Sequence, residues 1–216
     1  LIGDIKGSRG IENRDEFQKR LKKVLLEINN KYTEDIASNF TITLGDEFQG
    51  LLNKGKNIMS IIAELERKAC PVEMRFGIGV GEITTAIDPK WAIGADGPAY
   101  HRARKAVQYL KQKEKKKGTG GADIRLEIDG DKQTAVELIN TILSLMTVVK
   151  RSWTDRQREA AWDLLEHRDS QSAVADRLGI TQSSVQKNLA KAHYYAYKEA
   201  MAKVEQALGE IRRKDV

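Results

Sequence analysis

Two aspartates beside short glycine-containing turns are the residues of this chain best suited to chemistry. Asp4 lies in an apolar first segment and is followed by Gly7-Ser8-Arg9, a loop whose backbone amides can receive an anion. Asp46 lies in the segment 41–49, which predicts two strands joined by a tight turn with Asp46 at its tip. If the first strand lies beside this hairpin, the two carboxylates form an oxygen site for Mg²⁺ or Mn²⁺ that bridges to phosphates. The alternative is that both are ordinary turn and strand-end carboxylates.

A second group of residues with a clear local purpose lies in the last third of the chain. The segment 154–157 (Thr-Asp-Arg-Gln) fits a capping box, so a helix begins there. Ser170 and Thr181 can cap two further helices, and Gly179 between them permits a sharp left-handed turn. The apolar and small residues that would fix the crossing are Val174, Ala175, Leu178, Ile180, Val185 and Leu189. The pattern predicts a helix-turn-helix that binds DNA; a helical hairpin that meets no DNA is the alternative.

The third of these helices is expected to enter the major groove of double-stranded DNA, with its outward residues near bases and phosphates. Between Arg177 and Lys198 there is no acidic residue, so phosphate would meet no local repulsion. A solvated charged face is the simpler interpretation of such a run. The residues predicted to contact DNA are Thr181, Gln182, Ser183, Gln186, Lys187 and Lys191.

Composition sets the class of protein. The 216 residues carry a formal net charge of +6, which attracts polyanions without specifying one. The single cysteine excludes an internal disulfide and fits a reducing compartment. The longest apolar stretch, 138–149, is shorter than a membrane span, and no secretion signal is visible, so we expect a cytoplasmic protein without a membrane partner.

The elements that must position these residues change character along the chain. Apolar periodicity predicts helices over 13–30, 54–69, 98–117 and 132–151, and strand-like segments over 1–6, 39–44, 48–52, 72–82 and 124–128. After about residue 128 the pattern predicts only helices. We therefore expect an α+β domain over 1–128, a connecting helix over 129–153, and a helix-turn-helix with a long C-terminal helix over 154–216.

The helical third resembles the helix-turn-helix of sigma-factor region 4 in its segments 153–159 and 172–181. A three-four spacing suited to a seam between helices continues beyond it in Tyr194, Tyr197, Met201, Val204, Leu208 and Ile211. Packing on the protein's own body and formation of a homodimer are both open for this seam.

The first half resembles the nucleotidyl cyclase superfamily, which includes class III adenylyl cyclases and GGDEF domains. The resemblance rests on Asp4-Ile5 with Gly7, on the hairpin 44–48, on the segment 75–83 and on the segment 93–104. It implies a ferredoxin-like sheet with flanking helices, metal ligation by Asp4 and Asp46, and phosphate contacts at Gly7, Ser8, Arg9 and Glu47. If the domain is catalytic, the resemblance assigns transition-state stabilisation to Arg104.

Departures from the cyclase pattern leave the activity open. Tyr100 stands where cyclases carry an asparagine, and Leu44-Gly45 stands where GGDEF enzymes carry two glycines. The segments 3–9, 43–50 and 93–100, together with the C-terminal helix-turn-helix, resemble the bacterial SatD family. That family implies an architecture but no activity.

Two functions follow as expectations. The first is a DNA-binding, transcription-regulatory protein whose cyclase-like domain senses a nucleoside triphosphate with Mg²⁺. The second is an active nucleotidyl cyclase or cyclic-dinucleotide synthase in which the helix-turn-helix is a regulatory module.

Overall fold

The computed structural model describes residues 1–115, 121–130 and 133–211, apart from the side chains of Arg9 and Leu44. These residues form an α+β structure with one five-stranded mixed sheet and eight α-helices. In chain order the elements are β1 (Ile2–Ile5), α1 (Arg14–Lys31), β2 (Ile36–Leu44), β3 (Glu47–Leu52), α2 (Ile58–Ala69), β4 (Met74–Gly79), α3 (Pro98–Lys115), β5 (Ile124–Glu127), α4 (Gln133–Arg151), α5 (Asp155–His167), α6 (Gln171–Leu178), α7 (Gln182–Lys191) and α8 (Tyr194–Gly209).

The sheet has the strand order β2-β3-β1-β4-β5, and only β4 and β5 run parallel. β1 lies at its centre and forms antiparallel ladders with β3 and β4. On one face, α3 lies directly on β4, because a Cβ atom at Gly77 or Gly79 would collide with the backbone carbonyls of Ala103 or Ala99. The two glycines therefore let a helix approach the strand closely.

The edge of the sheet at β5 is closed by α4. The side-chain amide of Asn140 donates to the carbonyl of Leu126 at 2.9 Å and accepts from its amide at 2.8 Å. It thus takes the place of a neighbouring strand for one residue. Covering an edge in this way blocks pairing with another chain.

The helical third forms the elements that its caps predict. Thr154 makes the full capping box at the start of α5, and the side chains of Ser170 and Thr181 accept from the amides of Ala173 and Ser184. Gly179 has φ 63°, the left-handed conformation that a turn between α6 and α7 needs. The predicted caps and this turn are confirmed.

The two halves share one continuous apolar core, and α8 is central to it. Tyr194, Tyr197, Met201, Val204 and Leu208 are all buried, and α8 packs on α2, α4 and α7. The alternative of a homodimer through this seam is therefore wrong, because the protein's own helices already cover it.

Polar contacts also join the halves. Lys150 of α4 pairs with Glu66 of α2 and lies 3.3 Å from Asp123. Glu205 of α8 accepts from the amide of Ser60 at 3.1 Å, so it caps the N-terminus of α2, where Asn57 makes no side-chain cap. The indole of Trp153, between α4 and α5, donates to the carbonyl of Ala192 at 2.7 Å. The orientation of α7 is thereby tied to the α/β half.

Several predicted boundaries were wrong. The helix expected from residue 54 begins at Ile58, because Gly55 packs against the backbone of Leu208 and residues 54–57 turn instead. The strand expected over 72–82 is limited to Met74–Gly79. The chain then continues as an irregular segment to Pro98.

Candidate nucleic-acid interface and carboxylate cluster

The β1–β3 ladder brings two acidic residues side by side, although not the two that the sequence pattern emphasises. Asp4 is opposite Glu47 in the register, so their side chains share a face of the sheet. Both residues are buried, Asp4 to 1% exposure. Carboxylates buried this deeply need compensating charge.

Two cations compensate Asp4. The guanidinium of Arg75, opposite Asp4 on β4, pairs with Oδ2, and Nζ of Lys111 on α3 lies 2.6 Å from Oδ1. Both oxygens of Asp4 therefore face a positive charge. Arg75 is itself shared with Glu114 of α3.

Glu47 has its own cation. Arg104 of α3 pairs with Glu47 and also donates to the hydroxyl of Tyr100 at 2.7 Å. Burial lowers the pKa of Arg104, but the hydrogen bonds to Glu47 and Tyr100 outweigh burial and raise it. The residue to which the cyclase resemblance assigns transition-state stabilisation is thus engaged by Glu47 and Tyr100.

Asp46 lies in the turn between β2 and β3, next to the end of β1. Its carbonyl accepts from the amide of Ile5 at 2.9 Å, and its carboxylate accepts from the hydroxyl of Ser8 at 2.7 Å. Gly7, with φ 60°, turns the chain toward this hairpin. The first strand therefore lies beside the hairpin, as expected. The side chain of Arg9 lies outside the described residues.

The arrangement can be tested for a metal ion. A magnesium ion held between Asp4 and Asp46 needs a free oxygen on each carboxylate. Arg75 and Lys111 occupy both oxygens of Asp4, whereas Ser8 is bonded to only one oxygen of Asp46. In the described ranges, no group of three or more His, Cys, Asp or Glu residues could hold a metal ion. In this arrangement the cluster does not fit Mg²⁺.

Arg75 and Lys111 are the residues that sequence reasoning missed. Each had a signal. Arg75 stands two residues before Gly77 in the same strand, so it shares the face on which α3 packs. Lys111 is two helical turns beyond Arg104, so it shares a helix face with a residue already singled out.

The outward face of α7 is exposed, whereas the carboxylate cluster of the sheet is buried. Val185 and Leu189 are buried, and the side chains predicted to contact DNA all stand on the exposed side. In the described part of the chain, the side chains of Gln182, Lys187 and Lys191 make no hydrogen bond or ion pair. The exposed set is Thr181, Gln182, Ser183, Gln186, Lys187 and Lys191.

Arg177, at the end of α6, has a structural role instead. Its guanidinium binds Asp169 and Asp163, and these hydrogen bonds raise its pKa. It thereby fastens α6 to α5. The other lysine or arginine residues of the segment 177–198 are Lys187, Lys191 and Lys198, which are all exposed.

Comparison with known proteins gives one family. The model of the SatD family matches residues 1–205. Neither the curated proteins nor the solved structures contain a match. Within the described ranges, none of the helices combines the length and apolar character that crossing a membrane requires. The match covers nearly the whole chain, and the protein belongs to the SatD family.

Proposed function

We propose that this protein binds double-stranded DNA through the outward face of α7 and regulates transcription. The observation that carries the proposal is the division of α7 into two faces. Val185 and Leu189 are buried, whereas five polar or cationic residues of α7 and its cap Thr181 stand exposed. Glutamine, serine and threonine can bond base edges, and lysine can bond phosphates. No acidic residue between Arg177 and Lys198 opposes the approach of phosphate.

In this proposal α6 and α7 are the two helices of a helix-turn-helix. The support is local: α6 has eight residues, the connection runs through left-handed Gly179 to the cap Thr181, and Ala175 and Val185 are buried. α5 contributes the third helix, since it contacts both α6 and α7.

We also infer that the α/β half is a ferredoxin-like domain of the cyclase type. Its first four strands occur as β1-α1-β2-β3-α2-β4 with β1 and β3 in the middle, which is the split βαβ arrangement. The hairpin with Asp46 next to the end of β1 is a further point of agreement.

Nucleotide sensing by this half stays a prediction, and the ion pairs define what it requires. Arg75 and Lys111 must leave Asp4 before that carboxylate can take a metal ion with a nucleoside triphosphate. Turnover by a cyclase-type reaction further requires that Arg104 leave Glu47 and Tyr100. DNA binding has no such requirement, because the side chains of Gln182, Lys187 and Lys191 carry no such bonds within the described ranges.

The test is selection of duplexes from a random-sequence pool, followed by fluorescence anisotropy with the full chain. We expect an enriched motif that Gln186→Ala binds with relaxed sequence preference, since a lost base contact costs about 1–3 kcal/mol of discrimination. Lys187→Ala weakens binding to all duplexes alike. Lys22→Ala, an exposed lysine on α1, is the matched control and binds as the wild type does. Binding that is equally strong after both α7 substitutions contradicts the proposal.

A further inference from the structure

The outer side of α4 carries large apolar side chains that the molecule leaves exposed. Leu138, Leu145 and Val148 are 61%, 60% and 61% exposed. A single exposed leucine is ordinary in a soluble protein, but three on one helix face are not scattered. The buried side of α4, which includes Val136, Leu143 and Met146, already packs on the core.

The exposed apolar residues belong to a longer pattern. Together with uncharged polar residues they follow spacings of three and four, which is the heptad spacing of a seam between two helices. We name this the outer stripe of α4; it consists of Thr134, Leu138, Thr141, Leu145 and Val148, together with Ser152 directly after the helix. Every member of the stripe is exposed, and none carries a charge.

We propose that the outer stripe of α4 is a dimerisation surface that pairs with the same stripe of a second copy, antiparallel. Self-pairing about a two-fold axis places a surface against itself, so an uncharged stripe meets no like charge. The spacing is symmetric about its centre: in an antiparallel pair Leu138 faces Val148 of the second copy, and Thr141 faces Leu145.

The charges that flank the stripe favour the antiparallel direction. Glu137 and Arg151 are exposed and lie two heptads apart, near opposite ends of α4. Antiparallel pairing brings each close to the opposite charge of the second copy, whereas parallel pairing leaves the two charges about 21 Å apart along the helix axes. Arg151 can contribute while it keeps its 2.6 Å contact with Asp123, because a guanidinium has five N–H donors.

The size of the surface sets the expected strength. A helix of this length is about 28 Å long, and one helix face supplies less than the roughly 800 Å² per partner of a standard interface. We therefore expect a reversible dimer with a dissociation constant in the micromolar range. The dimer does not depend on DNA, so its test is separate from that of the proposed function.

Sedimentation equilibrium of the full chain from low to high micromolar concentration tests the surface. We expect Leu145→Lys to raise the dissociation constant at least about tenfold, because each dimer would bury two unpartnered ammonium groups. Leu26→Lys is the matched control, since Leu26 on α1 is 59% exposed and lies outside the stripe. A wild-type protein that stays monomeric, or an equal effect of Leu26→Lys, overturns the proposal.

Disulfide trapping in a Cys70→Ser background tests the direction. In the antiparallel pair, a mixture of Leu138→Cys and Val148→Cys proteins cross-links on oxidation. Leu138→Cys alone does not, because the two copies of that residue lie about 15 Å apart along the helices. A cross-link through Leu138→Cys alone overturns the antiparallel arrangement, and no cross-link in the mixture overturns the pairing.

Discussion

The carboxylate cluster of the sheet and the outward face of α7 differ in what their polar groups already bind. Asp4 and Glu47 are buried, and each is held by cations from β4 or α3. Gln182, Lys187 and Lys191 are exposed and, within the described ranges, make no such bonds. Buried charges that pair with one another stabilise an arrangement, whereas exposed polar groups aligned on one helix face are ready to meet a partner.

The difference teaches that residue type alone does not locate a binding site. An aspartate beside a glycine-containing turn predicts a metal ligand only as long as its oxygens are free. In this fold, α3 brings Lys111 and Arg104 onto the sheet, and the acids of β1 and β3 become the counterions of that helix. Among the described residues, the side chains on the outer side of α7 have no comparable neighbour.

The largest expected effect concerns Asp4. Asp4→Ala leaves Arg75 without the carboxylate opposite it and should lower the free energy of unfolding by about 3–5 kcal/mol. Asp46→Ala removes one hydrogen bond from Ser8 and should cost about 1 kcal/mol. Urea denaturation of both variants checks the contrast. An Asp4→Ala protein as stable as the wild type would mean that the cluster is not structural.

The next effect concerns Lys150, which joins the two halves. Lys150→Met keeps the apolar stem, leaves Glu66 and Asp123 without their shared cation, and should cost about 3 kcal/mol at neutral pH. Lys22→Met on the exposed side of α1 should change stability by less than about 0.5 kcal/mol.

The cost of Lys150→Met should shrink as the pH falls. Burial raises the pKa of Asp123, but Lys150, Lys6 and Arg151 outweigh it and hold that pKa below its usual value. A lowered folded-state pKa gives stability that is present above the unfolded-state pKa and lost as the pH falls through the folded-state pKa. The Lys150→Met protein has less of this stability to lose. Burial raises the pKa of Glu66, so protonation at falling pH removes the unpaired negative charge of this carboxylate in the variant. Urea denaturation at about pH 7 and at about pH 4, which is close to the ordinary pKa of glutamate, measures the difference; a constant cost contradicts this explanation.

A smaller effect concerns the turn between α6 and α7. Gly179→Ala should cost about 1 kcal/mol, because alanine is strained at φ 63° although no atom lies within 4 Å of its added Cβ. Ser170→Ala removes the cap of α6 and should cost a similar amount, about 1 kcal/mol. Thermal denaturation followed by circular dichroism checks both. No loss in either variant would argue against the capped turn.

Local signals predicted the helical third well and the carboxylate cluster poorly. The caps Thr154, Ser170 and Thr181 act within three residues, so the sequence contains all the information that they need. The partners of Asp4 come from residues 75 and 111, and only the packing of α3 on β4 joins them. The start of α2 was missed for the same reason, since Leu208 of α8 determines the path of Gly55.

The most direct test of the account is the salt dependence of DNA binding by the wild type and Lys187→Ala. Each neutralised phosphate adds about 0.9 to the slope of log K against log salt concentration. We predict that Lys187→Ala lowers the slope by about one and changes the free energy of unfolding by less than about 0.5 kcal/mol. A wild-type protein without salt-dependent binding, or a slope that Lys187→Ala leaves unchanged, would contradict the claim that α7 meets DNA.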